Sequence, residues 1–104
     1  FVEDEIDSKI IIKIKKLSEK ALQVFEDAIT AVQNHDFQKG ENVTESISQV
    51  INEEKEIMAK IKDTEKNSTV IKFVLEDLRR IVEYSGDIAE IAIDENIQSI
   101  ISKE

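Results

Sequence analysis

The sequence predicts an all-α fold, an elongated up-down-up bundle of three helices in one domain spanning residues 1–104. Two features of composition favour it: the chain has no proline and only two glycines, and 36% of its residues are charged. The third feature is periodicity, because apolar residues recur at steps of three and four even though the eighteen isoleucines favour strands by local propensity. We therefore expect a few long helices around a single core.

The first helix is predicted over residues 3–34. Its inward row is Ile10, Ile14, Leu17, Ala21, Val24, Ala28 and Ala31. A second row widens the apolar face, so this helix should contact both of the others; that row is Leu22, Phe25, Ile29 and Val32. A basic run surrounds the start of the helix and consists of Lys9, Lys13, Lys15, Lys16 and Lys20. Such a run is typical of a solvated face, with contact to a phosphate or an acidic partner as the alternative.

The second helix is predicted over residues 37–62, with Asp36 as its N-cap because a carboxylate there can accept backbone N–H bonds. Its inward row is Val43, Ile47, Val50, Ile51, Ile57, Met58 and Ile61. Gly40 lies on the same face, where it permits a close approach or a frayed first turn. The second helix therefore packs along its whole length.

Glu54 interrupts the apolar row of the second helix. An unpaired buried carboxylate costs on the order of several kcal/mol, so it needs a partner, a proton or a route to the surface. Counting back from the two turns brings Lys20 and Arg79 within reach. The sequence thus predicts a buried pair between Glu54 and Lys20 or Arg79 that fixes the register of the bundle, with a ligand or metal role as the alternative.

The third helix is predicted over residues 69–102. Leu78, Ile81, Ser85, Ile88 and Ala92 form its inward row, and the small residues around Gly86 favour close packing of a neighbouring helix. The opposite face carries an acidic row of Glu83, Asp87, Glu90 and Asp94. Like charges at this spacing oppose helix formation unless a cation or a basic surface covers them. This face therefore predicts an interaction surface, formed by Arg79, Arg80, Glu83, Tyr84, Asp87 and Glu90.

The third helix also carries a short motif, Ile88-Ala89-Glu90. It resembles the signature of the PhoU-like phosphate uptake regulators, in which an acid-x-x-x-Asp pair precedes Asn-Ile-Ala-Glu. Aligned on these residues, Asp87 stands at the asparagine, Glu83 at the second acid and Arg79 at the first. The surrounding Arg-Arg-Ile-x-Glu-Tyr-x-x-Asp-Ile-Ala-Glu is most similar to archaeal members, which often carry an attached AbrB-type DNA-binding segment.

A second segment of the chain, Ala28-Ile29-x-Ala31-x-x-Asn34-x-Asp36, resembles the first helix-to-helix junction of that family. The resemblance covers nearly the whole chain and implies a regulatory protein-interaction domain that links phosphate status to phosphate transport or transcription. Its implied partners are phosphate transporter or sensor components, or an attached DNA-binding domain.

PhoU-like domains can hold clustered metal ions through acidic pairs on two adjacent helices, and this sequence departs from that pattern. Arg79 replaces one acid, and Ile47, Ser48, Ile51 and Asn52 stand where the family has aspartates in the second helix. We therefore expect no multinuclear cluster and no cofactor. Glu83 and Asp87 are weak candidates for a single divalent ion, because their oxygens converge one turn apart.

Several classes of function are disfavoured by composition. The chain has no cysteine for a disulfide or a thiolate ligand, and it has no constellation of catalytic residues, so we expect no enzyme. A net charge of -9 disfavours direct binding of nucleic acid. With no leader and no long uncharged apolar run, the sequence predicts a cytoplasmic protein without membrane insertion.

The chain has more isoleucine than one small bundle can bury. Ile11 and Ile12 in the first helix, and the Ile97 to Ile101 end of the third, predict self-association into a homo-oligomer. Two alternatives to the regulatory function stay open. One is a metal-binding helical domain that uses surface acidic pairs, and the other is a plain dimerisation module of a transcription regulator.

Overall fold

The computed structural model describes residues 5–103, apart from the side chains at positions 99 and 103. The chain forms three helices that each pack on the other two: α1 (Ser8–Gln33), α2 (Phe37–Ala59) and α3 (Ser68–Lys103). α2 runs antiparallel to α1 and α3, and the molecule measures 71 × 17 × 16 Å. The predicted all-α three-helix bundle is therefore confirmed.

The helix ends differ from the predicted ones by up to several residues. α1 does not extend back to residue 5, because the Asp7 side chain caps it by accepting the Lys9 N–H at 2.8 Å; residue 3 lies outside the described residues. α2 ends at Ala59 instead of 62, where the Lys62 N–H turns away to bond the Glu65 carboxylate at 2.8 Å. α3 begins at Ser68, one residue earlier than predicted.

The junction between α1 and α2 is a tight polar turn. His35 has a φ of 52°, which reverses the chain, and the Asp36 N–H donates to the Ala31 carbonyl at 2.8 Å. The Asp36 carboxylate then accepts the Lys39 N–H at 3.0 Å, so the predicted N-cap of α2 is confirmed. This turn sets the antiparallel alignment of the first two helices.

The core runs along the whole bundle. Its most buried apolar side chains, each at most 2% exposed, are Leu17, Ala21, Ala28, Ala31, Val43, Val50, Leu75, Val82, Ala89 and Ala92. The second predicted row of α1 is wrong at its first position: Leu22 is 55% exposed, while Phe25, Ile29 and Val32 are half-buried. The reason is angular, since Leu22 lies about 140° around the helix from Leu17.

Two glycines mark where α2 and α3 approach closely. A Cβ atom at Gly40 would lie 3.2 Å from the Ala89 carbonyl oxygen and 3.2 Å from the Ile93 Cγ1 atom. A Cβ atom at Gly86 would lie 3.0 Å from the Ile47 Cδ1 atom. The small residues of both helices are therefore used for close packing, as the sequence predicted.

The end of α3 extends beyond the other two helices. His35 at the α1–α2 junction lies 3.0 Å from the Glu95 carboxylate, so residues 96–103 continue past the junction for about 12 Å. Ile97, Ile100 and Ile101 in this overhang are 46%, 54% and 60% exposed. Across residues 5–103, no helix combines the length and apolar character needed to cross a bilayer.

Candidate interaction surface

A row of large apolar side chains lies on the face of α3 that points away from α1 and α2. Its members are Val70, Phe73, Tyr84 and Ile91. We call this face the outward stripe and include in it the exposed charged residues that lie between them, Asp77, Arg80 and Asp87. Phe73 and Tyr84 are 61% and 63% exposed. The four share one face because Val70, Tyr84 and Ile91 are separated by multiples of seven residues, and Phe73 follows Val70 by three. The same helix buries Leu75 and Val82 completely on its opposite face.

Charged side chains occupy the middle of the outward stripe. Arg80 lies between Phe73 and Tyr84, and its Nη1 atom is 3.4 Å from the Asp77 Oδ1 atom. Both side chains of this pair are more than 60% exposed, so the pair is weak and each partner can still bind another group. Asp87 follows Tyr84 by three residues and is also exposed. The stripe is thus apolar at both ends and charged between them.

The predicted interaction residues divide into two groups. Arg80, Tyr84 and Asp87 belong to the outward stripe, and all three are exposed. Arg79 instead turns toward α2 and is half-buried, with its Nε atom 3.5 Å from the Glu83 Oε1 atom. Glu90, seven residues after Glu83, continues the same acidic flank. The prediction therefore joined two neighbouring surfaces that the structure separates.

Glu54 is the buried polar group of this region. Its side chain is 1% exposed, and neither carboxylate oxygen has a hydrogen-bond partner among the described residues. The nearest cation is Arg79, whose Nη1 atom lies 3.9 Å from the Glu54 Oε1 atom. Burial raises the pKa of the Glu54 carboxyl above 4.5, and the Arg79 charge opposes that rise. Arg79 therefore compensates the buried charge only in part.

The predicted alternative pairing of Lys20 with Glu54 is wrong. Its Nζ atom lies 2.7 Å from the Glu53 Oε1 atom, and both side chains are substantially exposed. The error is one residue, and one residue turns a helical side chain by about 100°. Glu53 consequently meets Lys20 at the solvent edge between α1 and α2, while Glu54 turns inward toward α3.

Glu83 and Asp87, the weak candidates for a metal site, are both exposed, and Glu83 is paired with Arg79. The Arg79 guanidinium lies 3.5 Å from the Glu83 carboxylate, and its fixed positive charge disfavours binding of a metal ion to the Glu83 oxygens. Within the part of the chain that the structure describes, no three histidine, aspartate or glutamate side chains lie close enough together to hold a metal ion. Glu83 and Asp87 thus have no third carboxylate or imidazole beside them in that part of the chain.

Three apolar members of the outward stripe, Val70, Phe73 and Ile91, were not part of the predicted interaction surface. Their signal was present as a seven-residue spacing from Val70 to Asp77, Tyr84 and Ile91 on the side opposite Leu75. It was hidden because apolar residues also fill the inward row of the same turns. An outward aromatic becomes recognisable only once the buried face of α3 is known.

Comparisons of the chain with protein-family models, with curated proteins and with solved structures gave no match. The resemblance to PhoU-like regulators therefore rests on the motif residues and on the three-helix order, and it stays a prediction.

Proposed function

We propose that this chain is a regulatory protein-interaction domain that docks a partner protein on the outward stripe of α3. The observation that carries the proposal is the exposure of Phe73 and Tyr84 on one face of a helix whose opposite face buries Leu75 and Val82. Single exposed apolar residues are ordinary on protein surfaces, but an aligned row of them is typical of interaction sites. The stripe also contains Tyr and Arg, two residue types that often dominate binding energy.

The charges around the stripe define the partner. Asp87 lies within the stripe, and Glu83 and Glu90 lie on its α2 side, so a partner with basic residues beside apolar pockets would match both features. Arg80 provides one cation for an acidic or aromatic group of that partner. Within the resemblance to PhoU-like regulators, we propose that the partner belongs to phosphate transport, phosphate sensing or transcription, and that docking communicates phosphate status.

Photo-cross-linking tests this proposal. A photoreactive phenylalanine placed at Tyr84 is expected to capture a phosphate-transport, sensing or transcription component in cells of the source organism. The same probe at Leu22, which is 55% exposed on α1, is the matched control and should capture that component at least about tenfold less. Equal capture at the two positions would contradict docking on the outward stripe.

A second candidate function, a plain dimerisation module, is favoured by the α3 overhang. The three isoleucines of residues 96–103 each keep about half of their surface exposed at the end of α3. The predicted contribution of the first helix lies elsewhere, because Ile12 is 52% exposed near the start of α1, at the other end of the rod, and Ile11 is half-buried. The two isoleucine groups therefore form separate surfaces.

Light scattering at high micromolar concentration tests self-association. We expect a mass above that of the 11.9 kDa monomer, and we expect Ile100→Asp with Ile101→Asp to weaken association about tenfold or more, because a charge would be buried. Ile12→Asp serves as the comparison at the opposite end. A monomer mass for the unaltered chain at that concentration would exclude this candidate while leaving docking on the outward stripe untouched.

A further inference from the structure

A groove between α1 and α2 concentrates positive charge on the side of the bundle away from the outward stripe. It has a volume of about 340 Å³, and it is lined by Lys13, Lys16, Lys20, Glu53, Glu56, Ile57 and Lys60. Four of the fourteen basic residues of a chain with net charge -9 thus line one cavity. The size is in the range of small-molecule sites.

The four lysines are not equivalent. Lys20 is already paired with Glu53 at 2.7 Å, which leaves Lys13, Lys16 and Lys60 with the carboxylates of Glu56 in the groove and of Asp7 near Lys13. Lys13 and Lys60 face each other from the two helices. The close approach of the Lys60 amine and its like charge lower the pKa of Lys13, while the Glu56 and Asp7 carboxylates oppose that shift. The groove therefore brings together cations that repel one another.

An anion bound between the Lys13 and Lys60 amines would attract both of them and so offset the repulsion between them. We propose that the groove binds a small anion with two or more phosphoryl groups, held by Lys13, Lys16 and Lys60. One tetrahedral group can lie between Lys13 and Lys60 and accept from both. Lys16 lies one helical turn further along the groove, about 4.5 Å by the helical rise, which suits a second group of the same anion.

This inference does not depend on the proposed function, since it concerns a different face of the bundle. The chemistry fits free pyrophosphate and also the diphosphate of a nucleotide. Both present adjacent anionic oxygens to ammonium groups, and the two sources are distinguished by comparing their affinities.

Titration of the isotope-labelled full chain by NMR, at low ionic strength and neutral pH, tests the proposal with pyrophosphate as the probe. We expect shifts in residues 13–20 and 53–60, with a dissociation constant of about 1 mM or lower. The bound anion should also raise the pKa of Lys13, followed at its side-chain resonances. A nucleoside diphosphate that binds about tenfold more tightly would identify a nucleotide as the source, and equal affinity would identify the free anion.

Matched variants separate a formed site from general attraction. Lys13→Gln with Lys60→Gln should weaken binding about tenfold or more, whereas Lys9→Gln with Lys15→Gln, which removes the same charge from α1 outside the groove, should weaken it less than about twofold. Glu56→Gln should tighten binding, since it removes the competing carboxylate that lines the groove beside Lys13. Equal losses in the two double variants, equal affinity for sulfate, or displacement by an acidic peptide at lower concentration than pyrophosphate would each overturn the proposal.

Discussion

Replacing Glu54 by leucine is expected to raise the free energy of unfolding at neutral pH by about 1–3 kcal/mol. The carboxylate is 1% exposed and has no hydrogen bond among the described residues, so its burial is poorly compensated. The cation left behind is not stranded, because Arg79 is 37% exposed and also contacts Glu83. Urea denaturation at pH 7 measures the effect. The exposed Glu45→Leu on the same helix is the control, with an expected change below about 0.5 kcal/mol.

The difference between wild type and Glu54→Leu should depend on pH in one direction. Because the folded-state pKa of Glu54 is raised above 4.5, the carboxyl is neutral in both states below that pH and carries no charge penalty. As pH rises above 4.5, the unfolded chain ionises first, and the wild type loses stability until the folded-state pKa is passed. The advantage of leucine should therefore grow from acid toward neutral pH. An advantage that shrinks over this range would contradict a buried, weakly compensated carboxyl.

A double-mutant cycle with Arg79→Met tests whether Glu54 fixes the register. If the 3.9 Å approach is energetically real, Arg79→Met should destabilise the wild type more than it destabilises Glu54→Leu, with a coupling of about 0.5–1 kcal/mol. If the effects of the two substitutions on the free energy of unfolding are strictly additive, Glu54 and Arg79 are not coupled, and the pair does not fix the register. If Glu54→Leu alone destabilises the fold, the Glu54 carboxylate makes a stronger contact than the 3.9 Å approach to Arg79.

Truncating Leu17 to alanine is expected to lower the free energy of unfolding by about 2.5–5 kcal/mol. Leu17 is 1% exposed on α1 and belongs to the core shared by the three helices, so its removal opens a cavity that the rigid neighbours fill only partly. Leu22→Ala on the same helix should change the free energy of unfolding by less than about 0.5 kcal/mol, since Leu22 is 55% exposed. Thermal or urea denaturation of both variants compares them directly.

This pair of leucines is well matched because the two substitutions alter helix propensity equally. Any difference between them reports packing alone. Equal effects of the two substitutions would mean that α1 is rotated about its axis relative to the structure. The comparison thus tests Leu22, the one position in the second row of α1 that the sequence predicted wrongly.

The sequence was sufficient for the fold because its information lies in periodicity. The row from Ile14 to Ala31 specifies one face of α1 regardless of what packs there. Leu22 could not be assigned in the same way, since two adjacent apolar rows exist and only the positions of α2 and α3 decide which is covered. The early end of α2 was hidden for a similar reason: the bond from the Lys62 N–H to Glu65 is a property of the turn, not of the helix pattern.

The candidate surface was predicted less completely than the fold. Arg80 was found because charges mark the outside of a helix, and Tyr84 because it lies among such charges. Phe73 was missed because an apolar residue carries no such mark. Glu54 was found as a break in an apolar row. To choose between Lys20 and Arg79 as its partner, however, the rotation of the helices must be known to within one residue. Counting from a turn does not provide that accuracy.

The antiparallel arrangement, with α1 and α3 pointing the same way, gives the rod an electrical polarity along its 71 Å axis. Around the α1–α2 junction, residues 21–52 and 80–103 contain ten acidic and three basic side chains; the other end, residues 5–20 and 53–79, contains ten acidic and eleven basic. The Asp7 and Asp36 carboxylates offset the dipoles of α1 and α2 at their N-caps, whereas α3 has no acidic residue in its first turn, so the N-terminus of α3 adds to the imbalance. In the field of a charged partner or surface, the molecule will therefore turn before contact and arrive in a preferred orientation.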